Sequence, residues 1–176
     1  MQAIKQIVTS KSLNLIVFNL LWVGLVLGRD SLTHLTLPSL LIYLACLLRI
    51  GDLKVHQVLL PATIGITIDS SLTSLGIFNF PDSSLIIPFW LILLWINFST
   101  TITLSLSFIG KNKLVALGLG ATALPFNYMV GERLGAVTFG EPYLFSILVL
   151  ALVWSVSFPI LFMVSRENFT QRLHMR

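Results

Sequence analysis

Asp69 stands in the middle of an apolar run that begins at Val58. As part of a helix it would lie about 16 Å along the axis from Val58, at 1.5 Å per residue. A charged group at the centre of a bilayer costs about 2.5–3.5 kcal/mol on insertion scales, so it persists only where it is paired, protonated or turned toward a polar cavity. Two roles fit such a carboxyl: a ligand-binding or proton-linked group, and a structural group hydrogen-bonded to a neighbouring helix. Ala62, Gly65, Asp69, Thr73 and Gly76 share one helical face, and small residues of this kind suit close helix contact. A matching face of Ala116, Gly120, Ala123, Asn127 and Gly131 recurs further along the chain. The two faces are expected to meet, turning Asp69 and Asn127 toward the interior.

Asn127 belongs to Pro125-Phe126-Asn127, where the proline also interrupts the backbone ladder. Freed carbonyls and an amide at membrane depth serve either a cavity or a packing kink. A hydroxyl-rich stretch places Asn97, Thr101 and Ser105 on one side, which suits a polar path or hydrogen bonds between helices. Asn19 adds an amide to the first apolar run. Two charge pairs, Arg29-Asp30 and Glu132-Arg133, mark helix ends. They can hold a carboxylate or an anionic headgroup, or form a solvated rim. Gly24-x-x-x-Gly28 and Gly131-x-x-x-Gly135 fit close helix approach.

Several chemistries have no residues to support them. His34, His56 and His174 have no ligating companion one helical turn away, so no metal is expected. No Ser/His/Asp set, phosphate-cradling Gly-Lys loop or cysteine pair is present, so no catalytic residue is assigned and no cofactor is expected. The single cysteine, Cys46, excludes an intramolecular disulfide and reads as a small core residue.

The elements that must carry these residues follow from composition. The 176 residues are 56% hydrophobic and 10% charged, where a soluble domain carries about 25% charged residues. A chain this size leaves much of its surface facing solvent, so that solvent must be largely lipid. The net charge of +4 does not indicate nucleic acid, because the cations fall in short clusters between apolar runs. The expected partners are the lipid bilayer and either a membrane protein or a small-molecule or lipid ligand.

Six apolar runs span Leu13–Leu27, Leu35–Ile50, Val58–Phe78, Leu85–Phe108, Leu114–Gly131 and Tyr143–Val164. A crossing helix needs about 20 residues. The last four runs meet that length. The first can extend through Ile7 and Val8 if Lys11 snorkels, and the second contains Pro38 and reads as a span or a re-entrant segment. Continuous runs of this length exclude β-barrel strands, which alternate over about 10 residues. The expectation is an all-α integral membrane protein: one domain, a bundle of six transmembrane helices.

Orientation follows from the cations. With a cytoplasmic N-terminus, Lys5, Lys11, Arg49, Lys54, Lys111, Lys113, Arg166, Arg172 and Arg176 fall inside, against Arg29 and Arg133 outside. That asymmetry predicts both termini in the cytoplasm. A cleavable signal peptide is the rival reading of the first run, opposed by Asn14, Asn19 and Trp22 within it.

Gly24-Leu-Val-Leu-Gly-Arg-Asp30, Gly65-Ile-Thr-Ile-Asp-Ser70, Trp95-Ile-Asn-Phe-Ser-Thr-Thr101 and Pro125-Phe-Asn-Tyr-Met-Val-Gly-Glu-Arg-Leu-Gly-Ala-Val137 resemble domain-of-unknown-function family 2878. The resemblance covers nearly the whole chain and implies a small protein of the bacterial inner membrane, with no settled activity. Members often carry Asn-His-Ser where Thr103-Leu104-Ser105 stands here. The absent histidine argues against a proton-handling site in that helix.

Three function classes follow. The first is a small-molecule or lipid-binding bundle, such as the substrate-capture subunit of a transporter; in size it is similar to the substrate-binding components of energy-coupling-factor vitamin transporters. The second is a structural or assembly subunit. The third is a lipid-modifying enzyme using Asp69, which needs Arg29, Glu132 or Arg133 close by.

Overall fold

The computed structural model describes residues 2–51, 53–80 and 86–166. Within them the regular structure is helical apart from two strands of two residues each. A short α1 (Gln2–Val8) precedes six longer helices: α2 (Lys11–Gly28), α3 (Thr33–Arg49), α4 (Val55–Ser74), α5 (Phe89–Thr103), α6 (Lys113–Arg133) and α7 (Tyr143–Val164). Ser10 caps α2 by accepting from Leu13 N, and Asn112 caps α6 by accepting from Leu114 N and Val115 N. Strands β1 (Phe78–Asn79) and β2 (Thr138–Phe139) pair antiparallel, Phe78 opposite Phe139 and Asn79 opposite Thr138.

Three stretches are long and apolar enough to cross a membrane: Lys11–Arg49, Lys113–Arg133 and Tyr143–Val164. The first of these is folded back on itself. Arg29 adopts φ 50, a 3-10 turn covers Arg29–Leu32, and beyond it α3 returns along α2. Asn14 then reaches Tyr43, and a Cβ on Gly24 would lie 2.9 Å from the Thr36 methyl. Large apolar side chains face outward, among them Leu20, Leu114 and Leu152, each about seven-tenths exposed or more. An aqueous surface does not carry this much exposed apolar area, and lipid does.

Two of the expected runs end early. The third was expected to reach Phe78, but α4 stops at Ser74 because Gly76 takes φ 71 and Ile77 N donates back to Leu72 O. The fourth was expected to span Leu85–Phe108. Leu85 lies outside the described residues, and α5 covers only Phe89–Thr103. Beyond it Leu104–Phe108 turn, with Leu106 N donating to Thr101 O. His174, Arg172 and Arg176 also lie outside the described residues.

The hairpins α4–α5 and α6–α7 echo each other at a spacing of 59 residues. Ala62-Thr63 recurs as Ala121-Thr122 and Leu75-Gly76 as Leu134-Gly135. Likewise Leu91-x-Leu93-x-Trp95 recurs as Leu150-x-Leu152-x-Trp154. Gly135 repeats the left-handed helix end of Gly76, with φ 72. Corresponding residues also meet across the seam between the hairpins. Trp95 stacks on Trp154, with centroids 5.1 Å apart. Tyr128 bonds Asp69, and Thr138 bonds Asn79 O. Contact between equivalent positions is the signature of a local two-fold axis.

Contacts also sort the helix ends. Gln57 Nε2 donates to Ser165 O at 3.1 Å, and Arg166 Nη2 donates to Gly110 O at 3.3 Å. The starts of α4 and α6 therefore sit with the end of α7. Ser105, just past α5, joins Asn14 near the start of α2. At the opposite end are the β1–β2 pair, Arg29 bonded to Gly135 O, and Tyr143 bonded to Glu132 at 2.9 Å. Lys11, Arg49, Lys54, Lys111, Lys113 and Arg166 thus share one end of the bundle, with Arg29 and Arg133 at the other.

Candidate functional site

Asp69 is wholly buried on the inward face of α4. Trp95 Nε1 on α5 donates to its Oδ2 at 2.6 Å, and the Tyr128 hydroxyl on α6 donates to its Oδ1 at 2.5 Å. Both carboxyl oxygens are therefore occupied, as a buried polar group requires. Gly65, one turn earlier on α4, makes the approach of Trp95 feasible: any side chain there would overlap the indole. Trp154 lies over both donors, 5.1 Å from Trp95 and 6.4 Å from Tyr128 between centroids. Its own Nε1 is buried and makes no hydrogen bond of full geometry, interacting instead with Tyr128. The repeat supplies the reason, since the position equivalent to Asp69 holds Tyr128, which donates to Asp69 and leaves Trp154 without a carboxylate.

The small faces of α4 and α6 do not meet as expected. Each accommodates a neighbour that is itself bulky: Gly65 lies under the Trp95 ring, and Gly120 admits the α7 backbone at Trp154. Gly65 thus serves helix–aromatic contact, and Gly120 the close approach of α6 to α7. Gly131 and Gly135 form no helix–helix seam either. Gly135 is the left-handed turn residue, and Gly28 lies over Leu32 in its own turn.

A cavity of about 380 Å³ lies between α2 and α6, with α5 behind it. On α2 its wall includes Leu15, Phe18, Asn19, Trp22 and Val26, which spans about 16 Å along the helix. On α5 it includes Trp90, Leu94, Trp95, Phe98 and Thr101, and on α6 Ala123, Leu124, Asn127, Tyr128 and Gly131. Asn19 and Asn127 are the exposed amides of this wall. Each spends its Nδ2 on its own helix, at 2.7 Å to Leu15 O and 2.8 Å to Ala123 O. Neither Oδ1 accepts a hydrogen bond from another described residue. Asp69 does not itself border the cavity. Trp95 and Tyr128 stand between, each facing the cavity while bonding to Asp69.

The other polar residues divide between this cavity and plain structure. Thr101 borders the cavity but bonds Phe98 O in its own helix. Asn97 Nδ2 donates to Phe18 O at 3.2 Å, tying α5 to α2. Ser105 joins a buried cluster centred on Asn14, whose Nδ2 donates to Tyr43 OH at 3.1 Å and Thr100 Oγ1 at 2.9 Å. Its Oδ1 accepts from Ser105 Oγ at 2.5 Å. The rim charges lie apart from Asp69. Arg29 reaches Gly135 O, Glu132 accepts from Tyr143, and Asp30 and Arg133 are exposed. The enzyme reading required one of them near Asp69, and the groups there are Trp95 and Tyr128.

Sequence reasoning missed Trp95, Tyr128 and Trp154 as partners of Asp69, and Asn14 as a hub. A lone aromatic or amide within an apolar run looks like any other core residue; the repeated Leu-x-Leu-x-Trp was the available signal.

A model of the family described as a protein of unknown function (DUF2878) matches residues 11–160. No curated protein matches the chain, and no solved structure matches it.

Proposed function

Because the chain belongs to the DUF2878 family, whose description assigns no activity, we propose a function from the site alone: it binds a small apolar or lipid-like molecule in the crevice between α2 and α6. The crevice itself carries this reading. It is elongated, bordered mainly by aromatic and aliphatic side chains, and has two amide side chains on its wall, which is the usual make-up of a ligand pocket. In this reading the chain crosses the bacterial inner membrane six times with both termini in the cytoplasm. The gathering of cations at one end supports that orientation. Delivery of the bound molecule to an energising partner at that end would make the protein the capture subunit of a transporter.

Native mass spectrometry of the protein released from its own membrane in mild detergent tests the reading. The expected result is one retained small molecule or lipid class, lost when Ala123→Trp fills the crevice. Retention of nothing, or of the same mixed lipids in both proteins, would overturn it. Stoichiometric protein partners with no retained molecule would favour an assembly subunit.

A further inference from the structure

The two ends of the crevice differ, and the difference points to the shape of the molecule it takes. Its wall contains no Lys, Arg, Asp or Glu. Toward the end that carries Arg29 its border is tightly packed: Val26, Trp90, Ala136 and Val137 are all buried. Arg29 bonds Gly135 O, tying the turn after α2 to the turn after α6. Toward the cation-rich end the border is formed by Leu15 on α2, Leu119 on α6, and Leu106 and Ile109 between α5 and α6.

Two lysines prolong the walls at that end. Lys11 stands one turn before Leu15, on the face of α2 that Leu15, Asn19, Trp22 and Val26 present to the crevice. Its Nζ lies 5.8 Å from the centre of the Phe108 ring, and Phe108 is flanked in sequence by the Leu106-to-Ile109 border. Lys113 precedes the crevice residue Gly131 by about five turns at 3.6 residues each, so the two share one angular position on α6. Both lysines are exposed. Among the described residues no carboxyl lies at this end: Asp30, Glu132 and Glu141 are at the other, and Asp69 is buried between. Membrane topology asks for cations at this end, but not on the two helix faces that flank the crevice. Arg49 and Lys54 meet that general demand from the end of α3 and the start of α4, and neither helix borders the crevice.

From this juxtaposition we propose that the ligand is an anionic amphiphile, its hydrocarbon tail in the crevice and its phosphate or carboxylate head on Lys11 and Lys113. An ammonium is a compact charge with three donors, which suits either head group. The proposal rests on the crevice being a binding site. A neutral amphiphile would fit the walls equally well but would gain nothing from the lysines, and a cationic one would be repelled. The chemistry is shared by a bilayer phospholipid with one chain in the crevice and by a single-chain lipid that enters whole.

The probes are phosphatidylglycerol against phosphatidylcholine, and the lyso form of each, all of one acyl length. Equal amounts of each pair are added to the protein in an uncharged detergent, and retention is read by native mass spectrometry. The expected result is a preference for the anionic member of about tenfold. It appears in the diacyl pair if a bilayer phospholipid is the ligand, and in the lyso pair alone if a single-chain lipid is. The preference should fall severalfold when Lys11→Gln and Lys113→Gln are combined and persist in Arg49→Gln, while Ala123→Trp abolishes retention of either head group. Equal retention of both head groups, abolished by Ala123→Trp, would overturn the anionic assignment while leaving the binding reading intact. An anionic preference that survives Ala123→Trp, or that Arg49→Gln removes as fully as the double variant, would also overturn it, because a general basic surface would then explain the binding. Retention of no probe would overturn it as well, and the search for a molecule retained from the native membrane then shows whether the binding reading falls too. If the double variant does not fold, the comparison of head groups on the unaltered protein and on Ala123→Trp still decides.

Discussion

The hydroxyl of Tyr128 lies 2.5 Å from Oδ1 of Asp69, and the two residues hold equivalent positions in the paired hairpins α4–α5 and α6–α7. The bond crosses the seam between the halves, where Trp95 and Trp154 also stack. Tyr128→Phe would keep the ring on Phe78 and remove only the donor. It is expected to cost about 1–2 kcal/mol, the range for interhelical hydrogen bonds in membranes. Thermal unfolding in detergent reads the loss. In an Asp69→Asn background the same change should cost less, because the carboxyl that the hydroxyl bonds is already gone. Equal costs in both backgrounds would mean that the bond contributes nothing to the seam.

Gly65→Ala should be poorly tolerated. The added methyl would overlap the Trp95 ring, which cannot retreat while it stacks on Trp154. Overpacking of this kind costs about 1–3 kcal/mol, and near-UV circular dichroism should report displaced indoles. Gly118→Ala is the control, since nothing lies within 4 Å of a methyl there. Unchanged melting for both variants would remove the close contact as an explanation for Gly65.

Asn14→Leu tests the buried cluster that joins α2, α3, α5 and the turn after α5. The substitution leaves Tyr43, Thr100 and Ser105 facing an apolar side chain. Stranding buried polar groups costs about 1–3 kcal/mol each, so a clear fall in melting temperature is expected. Ligand retention by the folded fraction should not change, because Asn14 does not border the crevice. A fall in retention without a fall in stability would place Asn14 in the site rather than the scaffold.

Orientation can be read with single cysteines, because Cys46 is the one cysteine in the chain. In a Cys46→Ala background, Ser31→Cys is at the end of the bundle with few cations and Ser12→Cys at the cation-rich end, both exposed. A membrane-impermeant maleimide should label the first in intact spheroplasts and the second only after permeabilisation. The reverse pattern would invert the proposed topology.

Apolar run length was enough to read six helices, with α2, α3, α6 and α7 close to their expected bounds. It did so because lipid demands continuous helices. Asp69 stood out for a similar reason: a carboxyl in an apolar run needs an explanation that requires no neighbour to be known. The partners of Asp69 were decided only by the tertiary structure. Trp95 comes from α5, Tyr128 from α6 and Trp154 from α7, and nothing along any one helix says which neighbour its face will meet. The same limit produced the error over the small faces. Glycines spaced for close contact specify that something approaches, but the occupant proved to be an indole at Gly65 and the α7 backbone at Gly120. The ends of α4 and α5 also shifted: a glycine at φ 71 ends α4 where hydrophobicity alone would continue it, and past α5 the chain turns as Leu106 N donates to Thr101 O. Asn19, Thr101 and Asn127 were legible as polar candidates, but not the crevice between α2 and α6 that they border, since a cavity is space that packing leaves unfilled and exists only once helices from across the chain are set side by side.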